Sequence, residues 1–591
     1  MEPYADIIEG VILNYNKDAE QRTMMFKLLR HPVDGTTNRK KHQENVGEIA
    51  VKIADNFDWL NSNITRVIAE NHDMRHTFLG HSGEWWISSI NETYGLPNYV
   101  HNAMGARKLE YSSDFYNEVE KAILEKYPDI NKRKLEKIKR DLWLIMDGIN
   151  CHNGEKSERS YAPNFSKSQA QYRNEIMDCY IKKGADRGLV PATAEGSLMR
   201  LCDKISYIPF DMVDIFRNDV NIEHGLRDGK EHNFYDEYKE KLKIIGMPEG
   251  SFERLLNCQT EEDYDNFARE MQSYLIKDVV KSTKRNNIRM SAETSNAMHA
   301  IRDINNSVMV NYVVMREDHE AYPPAIEKLM KYYGKILTTS RLIDSKDPYL
   351  SAIKKFGNDN SDLAKQFAST YEYNPIAKGF ADYVSNMSSK DFDFTIESVK
   401  KSLENAIDSE IDIAEKVATG LVSKDDIKAR GNKKERIEAY INSFKSSLQR
   451  AYDENIFQEN SKNPANAFKR KIWLKKTREK IKKEALSLNP RYENAEGTIP
   501  LNEMIGMEIG AQYISSLNDE QFFELIQKAR AITPEQAESL QRPYNSFDFR
   551  SESKKHANWD NIAKLQKAGT ESEKESMNKK KKSFIERFLG R

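Results

Sequence analysis

The sequence predicts an all-α protein, a helical core followed by a further helical C-terminal region. Two observations carry this: apolar residues recur at three- and four-residue steps along several stretches, and runs of alternating β-branched residues are scarce. From His42, the side chains of Val46, Ile49, Ala50, Ile53, Ala54 and Phe57 fall on one stripe of a helix. A second helix is expected from about Asn63, a residue type suited to an N-cap, carrying Ile64, Val67 and Ile68 into Asn71-His72-Asp73. A third runs through Leu198, Leu201, Ile205, Ile208, Met212, Val213 and Phe216, and Pro209 inside it predicts a kink or a break. Three stretches read as loops: Asn153 to Ser168, Asp344 to Pro348, and Leu488 to Pro500. Trp85 and Trp86 are expected to pack in the core.

The chain has 591 residues, with 91 Lys+Arg against 92 Asp+Glu and a formal charge of −1. With 39% hydrophobic and 31% charged residues it can bury a core, which argues against wholesale disorder. The balanced charge argues against a globally basic nucleic-acid coat, though not against local patches. Cys151, Cys179, Cys202 and Cys258 form no CxxC pair, so a zinc ribbon or a disulfide framework is not expected. No run of about 18 apolar residues is present, and the start MEPYADIIEG lacks the pattern of a signal peptide. The expected compartment is the cytoplasm, with no membrane partner.

The expected organisation is a core over 1–225, a helical extension over 226–487, and a helical C-terminal region with a basic tail over 488–591. Two basic segments stand out. Phe468 to Glu484 holds nine Lys/Arg and two Glu, with Ile472, Trp473, Leu474 and Ile481 interleaved, and Lys579 to Lys582 lie near the end. Such runs read first as a solvated helix face and a tail; the sharper reading is an anion site for nucleotide phosphates or single-stranded nucleic acid.

Chemistry concentrates near the N-terminal third. In order the chain offers Arg39-x-x-His42, His72-Asp73-x-x-His76, His81-x-x-Glu84, His101-Asn102, His152-Asn153-Gly154, and Asp203-Lys204-x-x-Tyr207-x-x-x-Asp211. Imidazole and carboxylate together suit divalent ions such as Zn, Mn, Fe or Mg. A His and an Asp adjacent at a helix end can ligate one ion, with His42 from the preceding helix and Asp203 from a distant one. Such an ion polarises a phosphoryl oxygen and lowers the pKa of bound water towards about 7. Asp203, Tyr207 and Asp211 stand at i, i+4 and i+8 and line one helix face. His81 and Glu84, at i and i+3, have the spacing at which a carboxylate orients an imidazole.

These residues resemble the HD-domain phosphohydrolase superfamily, whose signature is H…HD…D. Within it they resemble the deoxynucleoside triphosphate triphosphohydrolases, the dGTPase-like branch that includes the SAM- and HD-domain dNTPase. His72 to Glu84 (HDMRHTFLGHSGE) is similar to that family's HD-hydrophobic-GH-x-x-FGH-x-x-E/D stretch. Arg39 to His42 resembles its R-x-x-H, and Asp203 to Asp211 its DK-x-x-Y-x-x-x-D. The match covers roughly 25–220, and Gln512 to Leu517 faintly resembles a late helix of the branch. Two positions depart: Arg75 stands where the family usually has Gly, and Leu79 where it usually has Phe. An arginine there would bind phosphate or narrow the pocket. A counterpart of the glutamine that in some relatives rejects the ribose 2′-hydroxyl is not found.

The resemblance implies that 1–225 is an HD phosphohydrolase core holding one divalent ion (Mn, Mg, Fe, Co or Zn) through His42, His72, Asp73 and Asp203. It implies His81 as the acid or nucleophile-positioning residue with Glu84 behind it, and His76 and His101 near the phosphates or leaving group. Arg39 and Lys204 would bind triphosphate oxygens, Tyr207 would pack on sugar or base, Asp211 would accept from the 3′-hydroxyl, and His152 would line the pocket. The implied activity is hydrolysis of a deoxynucleoside triphosphate to deoxynucleoside and inorganic triphosphate. The alternatives are another HD phosphohydrolase (a monophosphatase, phosphodiesterase or alarmone hydrolase) and a non-catalytic nucleotide- or nucleic-acid-binding regulator. The resemblance further implies a homo-oligomer, tetramer or hexamer, often with a dNTP activator at a subunit interface, for which the 468–484 segment is the candidate.

Overall fold

The computed structural model of the chain describes residues 2–16, 38–112, 114–153, 160–217, 224–227, 230–313, 316–339, 367–422, 434–453, 464–487, 491–494 and 497–541. The expected break at Asp344 to Pro348 and the basic run Lys579 to Lys582 lie outside the described residues, as does part of the expected loop after Asn153.

The architecture is all-α. The first part comprises α1 (Ala5–Leu13), α2 (Arg39–Ala54), α3 (Ser62–Asn71), α4 (Gly80–Tyr94), α5 (His101–Glu110), α6 (Phe115–Lys126), α7 (Lys132–Asp141), α8 (Trp143–Asn150), β1 (Ser160–Tyr161), α9 (Gln169–Ile181) and α10 (Ala194–Arg217). Next come β2 (His224–Arg227), β3 (Lys230–Asn233), α11 (Phe234–Ile245), α12 (Ser251–Leu256), α13 (Glu261–Ser282), β4 (Ile288–Arg289), α14 (Ala292–Val313) and α15 (Arg316–Thr339). The remainder holds α16 (Lys378–Ser385), α17 (Ser389–Ala418), α18 (Lys434–Asp453), α19 (Pro464–Ser487), β5 (Arg491–Asn494), β6 (Gly497–Pro500), α20 (Leu501–Ser516), α21 (Asp519–Lys528) and α22 (Pro534–Gln541). The strands form only two-stranded antiparallel pairs: β1 with β4, β2 with β3, and β5 with β6.

The stripe read from His42 is the buried face of α2: Val46, Ile49, Ala50, Ile53 and Ala54 are all buried. Asn38 caps this helix, its side chain accepting from the Lys41 amide at 2.9 Å. The next helix begins one step earlier than expected. Asn61, not Asn63, is the cap, accepting from the Ile64 amide at 2.9 Å, and α3 ends at Asn71 so that His72 and Asp73 leave its C-terminus.

α10 runs without interruption through Pro209. The proline removes one backbone donor, yet the helix is clamped by α2, α3, α8, α13 and α14 around it. Asn305 of α14 donates to the Ile208 carbonyl at 3.0 Å, beside the proline.

Two loop expectations are corrected. Ser160–Tyr161, inside the expected loop after Asn153, pairs with Ile288–Arg289, and the stretch before Pro500 contains the β5–β6 hairpin. Trp86 is buried and stacks on Tyr322, centroids 5.1 Å apart, but Trp85, next along the helix, is 50% exposed and not a core residue. Among the described residues, no helix is long and apolar enough to cross a membrane.

The basic segment lies on α19. Its inner face is spent on α17: Arg478 reaches Asp412 at 3.5 Å and Glu415 at 3.3 Å, and Lys482 reaches Asp408 at 2.6 Å.

Candidate metal centre

The core helices bring their ends to one cavity. His42 comes from α2, His72 and Asp73 from the exit of α3, His101 from the first turn of α5, His152 from the exit of α8, and Asp203 from the middle of α10. Four of the ligand atoms anticipated from sequence meet there. His42 Nε2 is 3.1 Å from Asp203 Oδ1 and 3.7 Å from Asp73 Oδ2. His72 Nε2 is 3.4 Å from Asp73 Oδ2 and 3.6 Å from Asp203 Oδ1. Ligands about 2.0–2.2 Å from one ion stand roughly 3–3.6 Å from one another, so these gaps are those of a coordination shell.

Hydrogen bonds on the far side of each ring decide which nitrogen faces inward. His72 Nδ1 lies 2.7 Å from the Ala69 carbonyl, which only accepts, so the hydrogen sits on Nδ1 and Nε2 offers a lone pair. His42 Nδ1 lies 3.2 Å from Ser206 Oγ. That hydroxyl donates its one hydrogen to Asn45 Oδ1 at 2.8 Å, so it accepts from His42 and again leaves Nε2 as the ligand. Asn45 is held in turn by Gln272 of α13, whose Nε2 donates to Oδ1 at 2.8 Å.

His72 Nε2 is buried without a hydrogen-bond partner, and the donor set is two neutral imidazoles with two carboxylates. That set fits a borderline or hard divalent ion, and His42, His72, Asp73 and Asp203 are the residues that would hold it.

The electrostatics agree. Burial works against charge on Asp73, but Arg39 and His72 hold its carboxyl well below the usual range, and Arg39 Nη1 donates to Asp73 Oδ2. Burial likewise opposes charge on Asp203, yet contacts with His42 and His72 hold it low. Burial pushes the His42 pKa down, keeping that ring neutral. Against burial, Asp73 and Asp203 raise that of His72.

A second group lies beside the first. Glu84 Oε2 faces His81 Nδ1 at 3.1 Å and His101 Nδ1 at 3.0 Å, while Oε1 accepts from the His101 backbone amide at 3.1 Å. Burial disfavours charge on His101, but Glu84 and Asp73 outweigh it and pull its pKa up to about 10. His76 is buried against these rings, stacked on His101 at 4.4 Å and edge-on to His81 at 4.7 Å. Burial first, then the neighbouring Arg39, keeps it neutral.

The turn between the two histidine groups is tight. Leu79 and Gly80 both adopt left-handed backbone conformations, φ 51° and 60°. A Cβ at Gly83 would stand 2.2 Å from the Phe78 carbonyl oxygen, so only glycine lets α4 close on this turn.

The cavity of about 120 Å³ is lined by Arg39, His42, Asp73, His81, His101, His152, Asn153, Asp203, Lys204, Tyr207 and Arg302. Lys204 Nζ donates to the Tyr161 hydroxyl at 3.1 Å. Glu84 and His76 stand behind this lining, and Arg75 is not part of it; its backbone carbonyl accepts from the Tyr99 hydroxyl at 2.8 Å. Asp211 is buried, with Oδ2 lacking a hydrogen-bond partner, and does not line the cavity. Burial, then the nearby Asp214, pushes its pKa well up, so it is a neutral acid that can donate as well as accept.

Arg302, from α14, belongs to the region in which the sequence carried no motif. It is buried, with Nε lacking a partner. An arginine in an amphipathic helix gives no sequence signal; only the packing of α14 on α10 delivers it here. Ser206, Asn45 and Gln272 were missed for the same reason.

The fold and pocket define a helical protein with a buried imidazole–carboxylate centre beside an oriented pair of histidines. No protein-family model matches the chain. It is similar to proteins named deoxyguanosinetriphosphate triphosphohydrolase-like protein: one of Rickettsia felis, 26% identical over 294 residues, covers 49% of this chain and 63% of that protein. One of Rickettsia akari is 26% identical over 304 residues, covering 50% and 64%. One of Rhodopseudomonas palustris is 26% identical over 210 residues, covering 34% and 43%. The chain thus spans less than two thirds of the length of these curated relatives. The likeness is distant and supports a relation to the dGTPase-like proteins at that level.

Proposed function

We propose that the chain is a metal-dependent deoxynucleoside triphosphate triphosphohydrolase, with residues 1–225 as an HD-type core and Arg302 supplied from the helical extension. The observation that carries the reading is the convergence of His42 Nε2, His72 Nε2, Asp73 and Asp203 at ligand spacing, with His81 opening onto the same cavity. The names of the distant relatives point to the same substrate class.

A divalent ion held by these four residues would neutralise charge at the α-phosphorus and lower the pKa of a bound water. His81 Nδ1 is committed to Glu84, so Nε2 is the atom free to exchange a proton with substrate. In the reaction a water oxygen joins the α-phosphorus, the bond from that phosphorus to the sugar O5′ breaks, and O5′ takes a proton from His81 Nε2. Arg39, Lys204 and Arg302 surround the cavity and hold the anionic chain in line, where positioning supplies much of the rate. The cavity accommodates a phosphate group rather than a whole nucleotide, since ligand pockets of that kind exceed about 300 Å³. Sugar and base therefore lie towards its mouth, with Tyr207 as the aromatic face offered to them.

Product analysis tests the reading. Each dNTP, alone and in mixtures, is incubated with the protein and Mn or Mg, and the products are separated by chromatography. Deoxynucleoside with intact inorganic triphosphate is the expected outcome. Orthophosphate as the only inorganic product would overturn it in favour of another phosphohydrolase.

A further inference from the structure

A third set of contacts in the pocket is not used by the four-residue centre. His152 Nδ1 lies 2.7 Å from the Ile149 carbonyl, which only accepts, so its hydrogen is on Nδ1 and its Nε2 carries a lone pair. His101 Nδ1 is directed at the Glu84 carboxylate in the same way. The two Nε2 atoms face each other at 3.0 Å. Asp73 Oδ1, the oxygen turned away from His42 and His72, completes the set at 3.4 Å from His101 Nε2 and 3.7 Å from His152 Nε2.

Two imidazole lone pairs and a carboxylate oxygen, all buried, repel one another unless something positive lies among them. Their spacing is that of ligands about 2.0–2.2 Å from a common ion. We propose that His101, His152 and Asp73 form a second divalent-cation site, with Asp73 bridging it to the four-residue centre through its two oxygens. Two imidazoles and one carboxylate select a borderline ion, manganese, iron or zinc, over calcium. Three protein ligands leave open positions, which face the cavity that His101, His152 and Asp73 all line. Ions sharing a carboxylate in two-metal sites stand about 3.5–4 Å apart and clamp the attacking and leaving oxygens of a displacement from both sides. The inference rests on the metal-site half of the proposed function and not on the choice of substrate.

Metal counting decides it. The full chain is stripped with chelator, reloaded with manganese(II) alone, dialysed, and analysed for bound metal and by electron paramagnetic resonance; triphosphate release is assayed on the same samples. Wild type is expected to hold about two ions per chain with the spectrum of an exchange-coupled pair. His152→Gln, and separately His152→Ala with its fold checked by circular dichroism, is expected to hold about one with an uncoupled spectrum. One uncoupled ion in wild type would overturn the proposal and assign the His101–His152 contact to a shared proton, whether or not triphosphate is released. Two coupled ions persisting in both His152 variants would overturn it as well. Coupled manganese lost in the variants, in a protein that releases no triphosphate, would uphold the second site and sink the substrate assignment instead.

Discussion

Glu84 holds His101 at two points: Oε1 accepts the backbone amide at 3.1 Å, and Oε2 lies 3.0 Å from Nδ1 of the ring. The same Oε2 is 3.1 Å from His81 Nδ1. One carboxylate therefore fixes two imidazoles that reach the cavity from different helices. Burial opposes charge on Glu84, but His101 and His81 keep its carboxyl well below the usual range. Glu84→Ala is expected to lower kcat by about 10–100-fold, the usual cost of losing a residue that orients a ligand or acid, measured as triphosphate release at saturating manganese. An unchanged kcat would remove Glu84 from the site.

His81 and Asp73 separate proton transfer from metal binding. His81→Ala is expected to lower kcat by about 10²–10⁴-fold while leaving bound metal unchanged. Asp73→Ala is expected to abolish both, because Asp73 touches His42, His72, His101 and Arg39. Elemental analysis alongside the rate assay checks the two outcomes together.

Arg107 and Asp391 join the core to the extension. Arg107 is buried on α5, and its Nη2 lies 2.7 Å from Asp391 Oδ1 at the start of α17, with Nη1 donating to the Tyr180 hydroxyl at 3.1 Å. Removing one partner leaves a buried charge uncompensated, so Asp391→Ala is expected to cost about 3–5 kcal/mol of stability. Denaturant unfolding checks this, and a loss under about 1 kcal/mol would contradict it.

Glu508 on α20 gives stability a pH dependence. Burial, opposed only in part by Gln512, Arg107 and Asn91, pushes its carboxyl up to about 7. A folded-state value above the unfolded one means that the folded protein favours the protonated acid. The contribution is fully present below about pH 4.5 and is lost as pH rises through about 7. Glu508→Gln is therefore expected to melt higher than wild type at about pH 8 and nearly equal to it at about pH 4. Melting curves across that range test the sign directly.

Helix periodicity was legible because α2, α3 and α10 each bury a stripe, and Val46, Ile64 and Leu198 recur at the spacing that makes one. The site residues were legible because His72-Asp73 and His81-x-x-Glu84 are local in sequence. What was not legible depends on distant packing. Ser206 and Gln272 fix the His42 ring through Asn45 although Gln272 lies far along the chain, and nothing local marks either residue. Trp85 looked like core because tryptophan is costly to expose, yet the turn of α4 sends Trp86 inward and Trp85 out. Pro209 predicted disruption from local chemistry, and the surrounding helices override it.

The most direct test of the central claim is a single turnover of a dNTP in water enriched in heavy oxygen, with the products weighed by mass spectrometry. If the pocket directs water to the α-phosphorus, the label enters the inorganic triphosphate and the released deoxynucleoside carries none. Label found in the nucleoside hydroxyl, or in orthophosphate split from the γ-position, would contradict the account.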